Sequence, residues 1–316
     1  MLETKGPEPR VTVAIVPRER FSFTRQSLES VLSNTTFPHK LVYVDGGSPP
    51  EVRDYLRAQS AAQHFELIRT EHFLSPNEAR NLAAARLETE FVAFVDNDVT
   101  VDPGWLEKLV ACADETGAWI VGPLYMIGPP GTDVIHMAGG DLEIQEVDGR
   151  RVFHEAHRLA NQRLGDHAGA LRREAVDMVE FHTMLVRSSA LKALGPLDEE
   201  LLSAAEHADL CMLAQKQGGS VYLEPSAKVT YSPARPESRA DFAYHLLRWS
   251  PEWNDRSLDR FAEKWNVERH PGLKGQARWL RRHRLAALGR MRVLDPVVRP
   301  LVTWSEVRKR ARMRAG

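Results

Sequence analysis

Residues 91–98 read Phe91-Val92-Ala93-Phe94-Val95-Asp96-Asn97-Asp98, five apolar residues running straight into an acidic triplet. An apolar run of this length suits a strand buried on both faces, as in a parallel sheet covered by helices. An extended backbone points alternate side chains the same way, so Asp96 and Asp98 can face one cation. Hard oxygen donors suit Mg2+ or Mn2+.

The same signals recur upstream. Val11–Val16 is a β-branched run, and the spacing of Leu28, Val31 and Leu32 predicts a helix over 24–32. A second strand over 40–45 ends at the turn Gly46-Gly47-Ser48, followed by a helix over 50–61 and a third strand over 65–68. Ser75-Pro76 reads as a helix cap followed by proline at the first helical position, opening a helix to Arg86. Strand and helix alternating at this spacing predict an α/β fold, a mostly parallel sheet flanked by helices.

Downstream, the pattern predicts a helix over 105–115 and strands over 119–121 and 179–186. A helix over 206–217 closes at Gly218-Gly219, and short strands follow over 219–223 and 227–231. Periodicity fades between Gly128 and Gly169, which reads either as a hairpin insertion or as a mobile loop over a site. From Asp241 the pattern is helical. Its Trp249, Trp253, Phe261 and Trp265 either pack these helices on the sheet or stack on an acceptor.

The 316 residues are 43% hydrophobic and 27% charged, an ordinary globular balance. No apolar run approaches the roughly 20 residues that cross a bilayer. The first ten residues are polar, and Cys112 and Cys211 are the only cysteines, so a cytoplasmic protein is expected. Beyond Pro271 the chain is strongly basic, from Lys274 and Arg278 to Arg312 and Arg314, opposed only by Asp295 and Glu306. Such a tail implies an anionic partner, either phospholipid headgroups, nucleic acid or the protein's own acidic body. Its mixture of Trp, Leu, Val and Arg suits an amphipathic helix on the inner membrane face, or a contact within a homo-oligomer. No specific nucleic acid is expected.

Ligands of an open parallel sheet bind beyond the carboxyl ends of its strands. Three polar strand ends should therefore share one cleft: Pro17-Arg18-Glu19-Arg20, Asp45-Gly46-Gly47-Ser48 and Asp96-Asn97-Asp98.

The ordered series VTVAIVP, LVYVDGGS, NEARNLAAA, FVAFVDND, VEFHTMLVRSSALKALGPLDEELLSAAEHADLCM and GGSVYLEP resembles the family 2 glycosyltransferases of the GT-A fold, from about Val11 to Tyr231. The resemblance implies a GT-A domain over 1–235, with a nucleotide-binding half over 10–125 and an acceptor and catalytic half over 126–235. A helical, basic extension follows over 236–316. It implies metal-assisted transfer of a sugar from a nucleotide-sugar donor, with a UDP-sugar favoured, to the hydroxyl of a glycan, lipid-linked or small-molecule acceptor. Pro17 and Glu19 would line the base pocket, and Asp45 would accept from uracil or ribose. Arg80 would contact base or phosphate, while Asn81 either joins it or packs its helix. Asp96, with Asn97, would approach the ribose and Asp98 the metal, while His182 lies near the donor sugar.

Two departures from the family pattern stand out. Many members carry Glu-Asp-x-Asp-Leu where this chain has Glu206-His207-Ala208-Asp209-Leu210, so the usual base is replaced by His207. Glu206 is the preferred base and His207 the alternative, while Asp209 is structural or contacts the acceptor. Metal-dependent members also supply a late His where this chain has Tyr231. His136, His154, His157 and His182 are candidates to replace it. Two rivals are a nucleotidyltransferase, which usually carries a Gly-rich loop after the first strand, and a non-catalytic relative that binds nucleotide sugar or glycan.

Overall fold

The computed structural model of the chain describes residues 8–314, apart from 168, 234–235, 270–271, 290–292 and 294. The first half runs β1 (Val11–Val16), α1 (Thr24–Asn34), β2 (His39–Gly46), α2 (Pro50–Gln63), β3 (Glu66–Thr70), α3 (Pro76–Ala84), β4 (Phe91–Asp96), β5 (Val99–Val101), α4 (Trp105–Thr116) and β6 (Ile120–Ile127). Then come β7 (Ile135–Met137), a hairpin of β8 (Gly140–Val147) and β9 (Arg150–His157), β10 (Glu174–Ala175), β11 (Thr183–Arg187), α5 (Ser188–Leu194), α6 (Glu206–Lys216) and β12 (Val221–Tyr231). Beyond them lie α7 (Arg239–Arg248), α8 (Pro251–Trp265), α9 (Gly272–Leu288) and α10 (Asp295–Arg314).

Among the described residues, ten strands form one sheet in the order β10-β12-β6-β11-β4-β1-β2-β3, with β5 on β12 and β7 on β6. β1 to β4 run parallel, as do β6 and β12, and β1 and β4 have every residue buried. This is the expected α/β architecture, and the helical C-terminal region is present as well. β11 enters antiparallel between β4 and β6, pairing Thr183 with Val95 and Leu185 with Val121. That insertion carries His182 to the end of β4.

The second half differs from the sequence reading in three places and settles a fourth. The fifth strand continues through Gly122-Pro123 to Ile127, because Gly122 lets Val179 approach where a Cβ would sit 2.4 Å from it. β11 begins only at Thr183, and before it the Glu180 amide and carbonyl bond the Tyr125 hydroxyl of β6. The two short strands over 219–231 are one, β12, whose register slips between Glu224 and Lys228. Pro225 lies in that slip and has no N–H to give the ladder. The segment after Gly128 forms the β8–β9 hairpin, one of its two readings.

The C-terminal helices close over the same body. Tyr244 of α7 stacks on Phe21 at 5.2 Å, and its hydroxyl donates to the Leu74 carbonyl at 3.0 Å. Asp241 accepts from the Phe21 amide at 2.6 Å, so α7 fixes the loop after β1. Trp249 and Phe261 bury with Phe153 of the hairpin, which is the packing reading of that aromatic stretch. Part of the basic tail is used internally: Arg284 pairs with buried Asp295, and Arg299 lies 3.8 Å from Glu252. Arg290, Arg292 and the side chains of Lys274, Lys309, Arg310, Arg312 and Arg314 lie outside the described residues. Among the described residues, no helix is long and apolar enough to cross a membrane.

Candidate active site

The parallel register of β1, β2 and β4 aligns their carboxyl ends, and the three polar strand ends meet there. At the end of β2, Asp45 accepts from the Ser48 amide and hydroxyl at 3.0 and 2.9 Å and pairs with Arg69. Arg69 is its ladder partner on β3. Gly47 turns the chain at φ +71°, with the His72 backbone where a Cβ would be.

At the end of β4 the three residues of the triplet do different things. Asp96 is fully buried, accepting from Arg80 Nη2 at 3.0 Å, with Arg18 Nη1 at 3.3 Å and His182 Nδ1 at 3.4 Å. Burial opposes its ionisation, but Arg18 and Arg80 outweigh that and lower its pKa. Asn97 is a clip: its Oδ1 accepts from the Arg18 amide at 3.0 Å and its Nδ2 donates to the Arg20 carbonyl at 2.9 Å. Asp98 is 1% exposed, and neither carboxylate oxygen has a hydrogen-bond partner among the described residues. Burial, with the charges of Glu19 and Asp96, pushes its pKa well above the ordinary carboxylate range. A buried carboxylate in this state is neutralised by a proton or by a cation.

The donor set around it is specific. Asp96, Asp98 and His182 can each offer one ligand atom, all within 4.8 Å of one another. Burial and Arg18 lower the His182 pKa to about 4, which leaves a neutral imidazole at pH 7. Two carboxylates and an imidazole in one buried cluster fit a divalent cation. Glu19 has internal partners, the Tyr231 hydroxyl at 3.1 Å and His283 of α9 at 3.5 Å. Arg80, expected to touch the donor directly, lies beneath Asp96 with its guanidinium 3.8 Å over the Phe181 ring. Asn81 binds the Leu197 backbone through both amide atoms at 2.9 Å, which is its packing reading.

The second half adds α6. Ala205 takes a left-handed conformation just before the helix, at φ 64°, and so sets Glu206 in the first turn. Glu206 is 3% exposed and accepts from Arg248 Nη2 at 3.0 Å. Burial raises its pKa less than Arg248, Arg80 and Arg18 lower it, so the carboxylate stays ionised. Arg18 and Arg80 thus act on Asp96 and Glu206 alike, which joins the two halves electrically. For His207, burial is outweighed by Glu155, 3.2 Å away, and its pKa is raised. Asp209 turns to α8, where Lys264 and Trp265 donate to it at 2.8 and 2.9 Å.

Sequence reasoning placed Arg18 at a polar strand end without a role, and passed over Arg69, Glu155, Glu180 and Arg248. Arg69 had a readable signal, a charged residue opposite Asp45 on a neighbouring strand. The others reach their partners only through the tertiary fold.

Known proteins agree with this architecture. The sequence profile of glycosyl transferase family 2 matches residues 12–179, more than half of the chain, and the chain belongs to that family. It is 29% identical over 229 residues to the pre-mycofactocin glycosyltransferase of Mycobacterium tuberculosis, covering 72% of this chain and 43% of that protein. It is 27% identical over 126 residues to the O-antigen biosynthesis protein RfbC of Myxococcus xanthus, covering 39% of this chain and 10% of that one. The chain therefore spans less than half the length of these curated relatives. Among solved structures, GalNAc-T7 with UDP, GalNAc and Mn2+ superposes with a TM-score of 0.56 at 16% identity, over 88% of this chain and 55% of that one. The shared fold is GT-A.

Proposed function

We propose that the chain transfers a sugar from a nucleoside-diphosphate donor to an acceptor hydroxyl with inversion at the anomeric carbon. The observation that carries this reading is the unpartnered, buried Asp98 beside Asp96 and His182 at the end of β4. These three residues would hold the cation, and the imidazole favours Mn2+ over Mg2+. When bound, the cation would offset the charge that develops on the departing diphosphate. The UDP and Mn2+ held by the solved GT-A neighbour support UDP and Mn2+ for this chain.

Breaking the anomeric bond requires a proton to leave the acceptor hydroxyl as that oxygen attacks. Glu206 is proposed to take it, because Arg248 and Arg80 keep its carboxylate ionised. His207 is the poorer base, since Glu155 favours its charged form. Pro17 and Asp45 are proposed to face the base and ribose, with Asp45 held in place by Arg69 and Ser48. Arg80 and Asn97 would act indirectly, the one by anchoring Asp96 and the other by fixing the loop after β1. The curated relatives' names point to acceptors as different as pre-mycofactocin and O-antigen. The acceptor is accordingly proposed only as a glycan, lipid-linked or small-molecule hydroxyl.

The test is a thermal-shift and turnover screen of nucleotide sugars with and without Mn2+. A UDP-sugar should stabilise the chain in the presence of Mn2+ and be turned over, and Asp98→Ala should abolish that turnover in a folded protein. Turnover unchanged by Asp98→Ala removes the metal assignment. Binding of the donor with no turnover on any acceptor or on water supports the non-catalytic reading.

A further inference from the structure

A second cluster lies where the hairpin meets α6, next to the donor site through Glu180, whose carboxylate is 3.7 Å from His157 Nε2 and 3.4 Å from His182 Nε2. Glu155 and His157 are two residues apart on β9, so their side chains leave the same face of the hairpin. That face is held inward by Phe153, whose ring sits 4.7 Å from Phe261 of α8. His207 comes up to it from the first turn of α6. His157 Nε2 and His207 Nε2 each lie 3.2 Å from the same oxygen, Glu155 Oε1. One ligand atom from each of the three lies within 4.8 Å of the others.

Two kinds of contact could explain this spacing. Both contacts sit at the long end of an ordinary N–H···O hydrogen bond, which reaches about 3.2 Å, and beyond the about 2.7 to 2.9 Å of a charge-assisted one. The edge of a tetrahedron with metal–ligand bonds of about 2.0 to 2.1 Å is about 3.3 Å, which matches both. The neighbouring cluster mixes the two: His136 Nε2 lies 2.9 Å from Glu180 Oε2, the length of an ordinary hydrogen bond, and His182 Nε2 lies 3.4 Å from the same oxygen. The chemistry selects the ion as well. Two imidazoles and one carboxylate are a borderline nitrogen and oxygen set, suited to Zn2+ and poor for Mg2+ or Ca2+. The three side chains are 13 to 25% exposed, so an ion can enter and keep water in its fourth position.

We propose that Glu155, His157 and His207 form a zinc-class site that clamps the β8–β9 hairpin to the first turn of α6, beside Glu206. None of its ligands belongs to the Asp96, Asp98 and His182 set, and the site does not rest on the transferase reading. It also removes His207 from the choice of base, because a metal-bound nitrogen has no lone pair left for a proton.

The test uses the full chain. Purified protein is equilibrated with Zn2+ against a chromophoric chelator, metal content is measured by elemental analysis, and Co2+ is substituted for its visible spectrum. The wild-type chain should retain one equivalent of Zn2+ and give the intense band of tetrahedral Co2+. Asp98→Ala should keep both. His157→Asn and His207→Asn, checked for folding by circular dichroism, should weaken Zn2+ binding by roughly 100-fold or more. Three results overturn the site: no stoichiometric Zn2+ in the wild type, equal affinity in both His variants, or loss in His136→Asn or Asp98→Ala with retention in His157→Asn. The wild-type cobalt spectrum decides the matter even where a variant misfolds.

Discussion

His182 lies flat against Tyr231, with ring centroids 4.0 Å apart and planes 23° from parallel. Tyr231 stands at the end of β12 where a late metal-binding His was expected, and the stack sets the imidazole that precedes β11, two strands away in the sheet, against that position. Because Nδ1 of His182 is 3.4 Å from Asp96 Oδ2, a change of strand need not cost the site its nitrogen ligand. His182→Asn should therefore weaken Mn2+ binding on the order of 100-fold in calorimetric titration, with the fold intact. Unchanged affinity takes His182 out of the ligand set.

The pairing of Glu206 with Arg248 yields a second expectation. Glu206→Gln keeps the shape of the side chain but cannot take a proton. Donor binding should stay near that of the wild type, while sugar transfer falls by roughly two or more orders of magnitude. If His207→Ala produces that loss in zinc-free protein whose wild type stays active, and Glu206→Gln does not, the base is His207 and the zinc-class site falls with it.

Much of this site was readable before the fold was known, and the residues show why. β1, β2 and β4 are runs of β-branched and aromatic residues, so burial on both faces is written in their composition, and the polar residue that ends each run marks the cleft. Strand direction is not written there. The antiparallel entry of β11 depends on what pairs with β4, and it is this entry that makes His182 a neighbour of Asp96. Partners such as Arg248 for Glu206, 42 residues apart, have no periodic signal. Gly122-Pro123 and Pro225 read as breaks, because tolerance of them comes from close packing and a register slip that no local rule supplies.

Arg80 beneath Asp96 is a buried ion pair, both side chains 0% exposed. Removing one member leaves the other charge uncompensated, a loss of about 3–5 kcal/mol. Arg80→Leu should lower the urea midpoint accordingly and disturb Asp96 as well, with metal-dependent donor binding weakened in whatever protein folds. A loss below about 1 kcal/mol would mean that Arg18 alone carries Asp96.

Asn97 joins β4 to the loop after β1 through two hydrogen bonds, at 3.0 and 2.9 Å. Asn97→Ala leaves the Arg18 amide and the Arg20 carbonyl without their partner, at a cost of about 1–3 kcal/mol for each group that stays dry. Its effect on the donor should appear in KM more than in kcat, because the loop positions and does not react. Steady-state kinetics separates the two, and an effect confined to kcat would contradict the clip.

The last expectation concerns acid. His245 of α7 is 1% exposed, and burial holds its pKa down at about 4, with Glu19 pulling the other way and the charges of His283 and Arg284 adding to the depression. The unfolded chain takes up this proton near pH 6.5, whereas the folded chain does so only near 4. Over that window the unfolded state binds more protons, so stability falls as the pH falls from 6.5 towards 4, by at most about 3 kcal/mol from this residue. The Glu155 carboxylate, opposed by burial but held down at about 2 by His207 and His157, contributes its acid loss across a lower range. His182 acts in the same direction as His245, so the informative quantity is the difference between wild type and His245→Phe. Urea titrations at pH 7, 5.5 and 4.5 should show a shallower pH slope in the variant. Parallel slopes would mean that α7 opens to water before His245 has to take its proton.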